Sequence, residues 1–550
     1  MSQENNCASI LVNILEKNGV STIFGHPGEQ VLSLYDAIRT SSIEHVLVRH
    51  EQTASHAADG YSRASGNIGV CLSTAGPGAM NLVMGVATAY RDSIPMLIIT
   101  GDVPVEKHNT GSFQDIDICS VFENITYKSF YCSNSDEAIL NMCTAFELFK
   151  NGAYGPIHIN IPKDVLESSF NNEIPDVTVD MGLDESFDLD LIKDLISSSK
   201  NPLIIAGAGV VWGDATKELA EFAITTGIPV ATTYHAKGVI PESEDICLGL
   251  IGTRGNATSN FAGKNADLII GLGLRFSERT TAGIGDGIKK IHVNINRDSL
   301  CGDINICMDI QYVLDKLNHA DISCNIEDWI NLLQEYRFNN PDFNKINFYY
   351  SEYPIKPQQA VREVLNGNKF KDVTIVNDAG SHVTWLTLYK ECKRPRSLIF
   401  SGGFGPMGYG LGAAIGVAFA RPNEPVLVVI GDGAIQMNSQ DLITIRKYRL
   451  PIIMCMINND ALRIVKQWQI LNYGEAYETD LDPNPNFEKL VRAYNIDYME
   501  AYAPGDVYMS TKKAMAKKRA CLINILVDKN VDIPLPNESG SFDEGMSHII

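Results

Sequence analysis

Two short signals in the C-terminal part of the chain have the spacing of a metal and phosphate site. In "PVLVVIGDGAIQMNSQDLITIRKYRLPIIMCMINNDALRIVKQWQ" (Pro425 to Gln469) one apolar run ends in Gly431, Asp432 and Gly433, and a second ends in Asn458 and Asn459, 27 positions after Asp432. Parallel strands joined by a helix-length amphipathic crossover would bring Asp432 and Asn459 out side by side at the carboxyl edge of a sheet. A carboxylate and an amide oxygen there suit a hard cation such as Mg²⁺, which keeps few protein ligands and takes the rest from phosphate and water. Gly433 lets the backbone approach a phosphate closely, and the helix that starts at Gly433 and Ala434 offers it unpaired N–H groups. GDG alone is a common turn and NN a common strand end. Their pairing across one crossover predicts a Mg²⁺-diphosphate site.

A second position is Glu51, in "HVLVRHEQTASHAADGYSRASG" (His45 to Gly66), directly after a strand-forming run and directly before a small-residue segment that reads as helix. An exposed glutamate at a strand end is the bland reading. Zinc is excluded, because His50 and His56 are six apart where a shared helix face needs four.

The elements that position these residues form an alternating pattern. Strand-length apolar runs ("HVLVRH", "IGVCLST", "MLIITG", "PIHINIP") alternate with helix-length segments to about residue 168, which implies a mostly parallel sheet covered by helices. Residues 169 to 190 are acidic and aperiodic and read as a linker. The pattern resumes with "NPLIIAGAGVV" and "ADLIIGLG", pauses near "RFNNPDFNKINFYYSEYPIKPQQ", and returns with "VTIVNDAG". The expectation is α/β throughout: three doubly wound parallel-sheet domains at 1–168, 190–335 and 355–535, with no sequence repeat strong enough to claim that the first and third are alike in structure.

At 550 residues the chain exceeds one core. A net charge of -21 argues against nucleic acid as a partner. No apolar stretch approaches a membrane span, and the first residues lack a signal pattern, so a cytoplasmic protein is expected. The 12 scattered cysteines, without a CxxC pair, read as reduced core residues.

GDG followed about 30 residues later by NN resembles the signature of thiamine diphosphate enzymes. Further motifs, "FGHPGEQVLSLYDAI", "STAGPGAMN", "GSFQDID", "GPIHINIPKDV", "GLGLRFSERTTAG", "MGYGLGAAIG" and "IVKQWQ", resemble in order those of the acetolactate synthase large-subunit family, over about residues 5 to 535. The resemblance implies the arrangement of that family, with pyrimidine-binding, central FAD-type and diphosphate-binding domains, and thiamine diphosphate, Mg²⁺ and FAD as cofactors. It implies that Asp432, the Asn459 side chain and the Ala461 carbonyl bind Mg²⁺, and that Gly433, Ala434, Ser381 and His382 bind the diphosphate. Glu51 would then hold the proton at N1′ of the cofactor's aminopyrimidine, its carboxyl raised in pKa by an apolar slot. Met407 would support the bend of the cofactor, and the Gly405 carbonyl would accept from its 4′-amino group. Phe113 and Gln114 would line the acceptor pocket, with Lys163 near its mouth. Arg275 would meet the acceptor's carboxylate or the flavin, and Trp468 would favour 2-oxobutyrate over pyruvate as acceptor.

The activity implied is decarboxylation of pyruvate and transfer of the two-carbon unit to a second 2-oxo acid, in branched-chain amino acid biosynthesis. A homodimer or homotetramer is implied, with a separate regulatory subunit left open. In the central part "AGAGV" lacks the full GxGxxG spacing, and "GTRG" and "LRFSERTTAG" strengthen FAD. The chain departs from the family at Glu29, in "GHPGE", where glycine is usual, and at Arg463 and Ile464. Glu29 keeps open a different acceptor, hence another 2-oxo acid decarboxylase or acetyltransferring carboligase. A catalytically idle paralogue is disfavoured by the retention of Glu51, Asp432 and Asn459.

Overall fold

The computed structural model describes residues 6–342, 345, 349–368 and 373–534. It contains three six-stranded parallel sheets with helices between successive strands. The first holds β1 (Thr22–Gly25), β2 (Glu44–Leu47), β3 (Gly69–Ser73), β4 (Met96–Asp102), β5 (Lys128–Tyr131) and β6 (Pro156–Pro162), in the order β2-β1-β3-β4-β6-β5. The second holds β7 (Pro202–Ala206), β8 (Val230–Thr232), β9 (Cys247–Leu250), β10 (Leu268–Leu272), β11 (Lys289–Val293) and β12 (Ile304–Ile306), in the order β12-β11-β10-β7-β8-β9. The third holds β13 (Ile375–Asn377), β14 (Leu398–Ile399), β15 (Val426–Gly431), β16 (Ile452–Asn458), β17 (Asp497–Ala501) and β18 (Cys521–Leu526), in the order β14-β13-β15-β16-β18-β17. The first and third sheets therefore share one strand order.

Central strands are apolar runs because helical crossovers cover both faces of a parallel sheet. Every residue of β4, β6 and β16 is buried. Exposed residues fall on β2, β5, β12 and β17, which are edge strands, and at the first residue of β11. Residues 171–187 contain neither helix nor strand, as the acidic composition predicts. All twelve cysteines are free. No helix among the described residues is long and apolar enough to cross a membrane.

By internal contacts the chain forms two compact units. One is built from the first sheet, Val373–Gly380 and Ile399–Lys529; the other contains the middle sheet and the segment Ser381–Leu398. Within the former, the Glu51–Ser65 helix packs on the Tyr409–Ala420 helix backbone against backbone. A Cβ on Gly60 would run into the Ala413 carbonyl, and one on Gly416 into the Ala57 carbonyl.

The third sheet's helical layer also covers the edge of β2. The Tyr448 hydroxyl accepts from the Leu47 N–H at 2.9 Å and donates to the His45 carbonyl at 3.2 Å. Asp441 accepts from the Arg49 N–H at 2.7 Å. A helix thus satisfies the polar groups that an edge strand leaves unpaired.

The crossover between β15 and β16 departs from the single helix expected. It is broken into Asp432–Ile435, a 3₁₀ turn at Ser439–Asp441, and Leu442–Lys447. Asn438 and Asp441 break it by bonding to distant backbone instead of continuing the helix: Asn438 donates to the Gly408 carbonyl, and Asp441 holds Arg49.

Candidate active site

β15 and β16 are adjacent and parallel, with Gly431 opposite Ile457, so Asp432 and Asn459 follow neighbouring strand ends. Both are buried, at 2% and 8% exposure. The Asp432 carboxylate accepts from the Asn459 backbone N–H and, at 2.9 Å, from the Asn484 amide. Asn484 also donates to Asp460 at 2.9 Å. Burial lifts the Asp432 carboxyl to about 6; the Asn484 hydrogen bond opposes this and the Asp460 carboxylate adds to it. The Asn459 side-chain oxygen accepts from the Ala461 N–H at 3.3 Å, and the Ala461 carbonyl accepts from the Arg463 N–H at 2.9 Å, which leaves that carbonyl a second lone pair. Asp460 and Asn484 were not singled out from sequence. Asp460 adjoins the "NN" signal, whereas Asn484 sits in an irregular segment that carries no periodic mark.

The turn from Ser401 to Gly408 adjoins this cluster. A Cβ on Gly433 would stand 3.1 Å from the Met407 methyl, so Met407 and the GDG turn are neighbours. Gly405 and Gly408 have φ of +69° and +90°, a region that favours glycine. The Gly405 N–H donates to the Ser401 hydroxyl. Asp378, in the "NDAG" stretch, accepts from the N–H groups of Ala379, Gly408 and Gly410 at 2.7, 3.0 and 2.6 Å.

Burial lifts the Asp378 carboxyl from 3.8 to about 7, against those hydrogen bonds. In the unfolded chain this group ionises near pH 4, whereas the folded one keeps its proton to about 7. Folding stability from this group is therefore greatest below about pH 4, falls as pH rises to about 7, and is level above that. In Asp378→Asn that component of the pH dependence is expected to vanish, read from urea midpoints of the variant and the parent at pH 5 and pH 8.

Glu51 is the first residue of its helix and 9% exposed. Its carboxylate accepts from the Asn81 amide at 2.9 Å, and its other oxygen faces Gly78. The slot is therefore polar on one side, unlike the apolar slot expected. His50 caps this helix by accepting from the Gln52 N–H, and His56, buried against Gly412, is pushed down to about 3 by burial. Neither histidine is arranged with Glu51 as a metal site.

The other predicted positions are spread along the chain. Lys163 opens a short helix after β6, and its ammonium is 3.4 Å from the Glu29 carboxylate. Gln114 has φ of +66° and packs its backbone against Gly76, while Phe113 is 82% exposed. Asp115 holds this loop by accepting from the N–H groups of Asn109, Thr110 and Gly111. Trp468 is 45% exposed on the Arg463–Tyr473 helix, and Arg463 is buried. Arg275, Ser381 and His382 belong to the second unit, where Ser381 and His382 are buried at the start of the His382–Tyr389 helix.

Residues 5–121, 189–317 and 378–525 match the families described as thiamine pyrophosphate enzyme N-terminal TPP binding domain, central domain and C-terminal TPP binding domain. A probable acetolactate synthase large subunit of Methanocaldococcus jannaschii is 37% identical over 97% of this chain and 94% of its own length. The chain belongs to the acetolactate synthase large-subunit family of thiamine pyrophosphate enzymes. Acetolactate synthase large subunits of Buchnera aphidicola and Haemophilus influenzae are 33% and 32% identical, each over 98% of this chain and 97% of its own. The first and third sheets, with their common strand order, carry the two TPP-binding matches of this family member, and the middle sheet carries the central-domain match.

Proposed function

We propose that this chain is the catalytic subunit of an acetolactate synthase, which decarboxylates pyruvate and transfers the two-carbon unit to pyruvate or 2-oxobutyrate. The observation that carries the reading is the meeting of Asp432, Asn459 and Met407 at one sheet edge, in a chain similar over nearly its whole length to proteins of that name. Thiamine diphosphate, when bound, supplies the carbon nucleophile and the electron sink.

Two carboxylates, the buried Asp432 and the half-buried Asp460, sharing one amide donor favour a divalent cation between protein and phosphate. Asp432, Asn459 and the Ala461 carbonyl would hold Mg²⁺, with Gly433 and Ala434 at the diphosphate and Ser381 and His382 as further diphosphate contacts. Glu51 would hold a proton at N1′ of the pyrimidine, with Asn81 fixing the orientation of its carboxylate. Met407 and the Gly405 carbonyl would set the bend of the cofactor. The likeness to large-subunit relatives supports an oligomer, in which a second copy of the chain is proposed to complete each site. Large-subunit relatives support a separate regulatory subunit.

FAD is proposed for the middle sheet, whose order read from β9 is that of dinucleotide-binding folds. At its switch point between β7 and β10, a Cβ on Gly209 would lie 2.7 Å from the Gly273 backbone. Arg254, whose guanidinium is pushed down in pKa by burial and by Arg279, gives that edge paired positive charge suited to a diphosphate. Arg275 would meet the flavin or the acceptor carboxylate.

Phe113 and Gln114 would line the acceptor pocket, and Trp468 would select the larger acceptor. The Glu29 and Lys163 pair supports a second reading, a carboligase with a different acceptor, since Glu29 compensates the cation at the pocket mouth. Glu29→Gly is expected to lower the KM for anionic 2-oxo acids by about threefold, the scale of one exposed charge pair, measured with pyruvate and 2-oxobutyrate; unchanged KM values count against this role. The overall reading is tested by mass spectrometry of products from pyruvate, with and without 2-oxobutyrate, in the presence of thiamine diphosphate, Mg²⁺ and FAD. Acetolactate that gives way to acetohydroxybutyrate supports it. Acetaldehyde alone overturns it.

A further inference from the structure

A buried ionic network joins the middle of the Glu51–Ser65 helix to the turn that carries Gly405 and Met407. Arg63 is 5% exposed, and Asp59, Asp92 and Tyr409 are at most 2% exposed. The Arg63 guanidinium donates to Asp59 at 2.7 and 3.1 Å, to Asp92 at 2.8 Å, and to the Phe400 carbonyl at 3.0 Å. The Tyr409 hydroxyl donates to Asp59 at 2.6 Å. Asp92, the last residue of the Pro77–Asp92 helix, accepts from the Gly402 N–H at 3.1 Å and the Gly403 N–H at 2.7 Å.

The turn is irregular along its length. It contains no regular element, and two of its glycines are left-handed. Its second end is held by Asp378 through Gly408 and Gly410. Its first end is held by Asp92, whose direction is set in turn by the fork of Arg63. A buried carboxylate held by a guanidinium has one accessible geometry, and the two N–H groups bound to it inherit that geometry.

We propose that Asp92 is a positioning residue for the cofactor turn: with Arg63 it fixes Gly402 and Gly403, and thereby the placement of the Gly405 carbonyl and Met407 against bound thiamine diphosphate. The inference rests on the cofactor reading above. A Cβ on Gly403 would stand 2.7 Å from the Asp92 carboxylate and 2.9 Å from the Arg91 carbonyl, so Gly403→Ala perturbs the same junction from the turn side while removing none of its charged groups.

The test is calorimetric titration of full-length protein with thiamine diphosphate in saturating Mg²⁺, together with pyruvate kinetics and thermal midpoints. Asp92→Asn and Gly403→Ala are each expected to raise the Kd for thiamine diphosphate by about tenfold, in the range lost when residues that orient a ligand-binding group are removed. The pyruvate KM at saturating cofactor should stay within about twofold of the parent, because the acceptor pocket is untouched. Variants that lose thermal stability but keep the parent's Kd would make Asp92 a fold residue only and overturn the inference. If Asp92→Asn fails to fold, Gly403→Ala decides on the same Kd criterion. A parent protein that binds no thiamine diphosphate overturns the cofactor reading itself, and this inference with it.

Discussion

Glu51→Gln is expected to lower kcat by about 100-fold or more, the contribution of a positioned proton-transfer group. The glutamine keeps the size of the side chain and can still meet Asn81 through its amide oxygen, so the start of the helix is preserved. What it would lose, in the proposed role, is the ability to hold and release a proton at the pyrimidine. The Kd for thiamine diphosphate with Mg²⁺ is expected to change by less than about tenfold, since the residues proposed to hold the metal, Asp432, Asn459 and Ala461, are not touched. Single-turnover decay of pyruvate together with calorimetry separates the two effects. A variant with the parent's turnover would remove Glu51 from the chemistry.

The largest effect on stability is expected at Gly416. A side chain there is driven into the Ala57 carbonyl, and both partners are backbone of packed helices that cannot yield as a side-chain tip would. Gly416→Val is expected to cost about 3 kcal/mol or more, at the upper end of overpacking penalties, seen as a lower urea midpoint. Gly474→Ala is the natural comparison. Gly474 has φ of +85° but no atom near its Cβ position, so only backbone strain of about 1 kcal/mol is expected. Equal losses at the two sites would show that the helix contact at Gly416 is not tight.

These two predictions draw on different kinds of information. Glu51, Asp432 and Asn459 were legible because each follows an apolar run of strand length, and a strand end is a local signal. The three-fold alternation of strands and helices was legible for the same reason, as were the buried central strands. The crossover after Asp432 was misjudged because side chains of Asn438 and Asp441 bond to residues far along the chain, which no amphipathic period reveals. Gly60 stands in a stretch that reads simply as small-residue helix, and only its packing against the Ala413 carbonyl shows why bulk is excluded.

By itself, then, the sequence determined the parallel α/β architecture and the strand ends that Asp432, Asn459 and Glu51 follow, because hydrophobic period and chain direction are properties of neighbouring residues. Tertiary structure alone decided that Asn484 joins Asp432, that Asp378 and Asp92 hold the two ends of the Met407 turn, and that Lys163 faces Glu29. Those contacts link residues up to 311 positions apart, and they depend on how folded surfaces meet, which leaves no periodic trace in the chain.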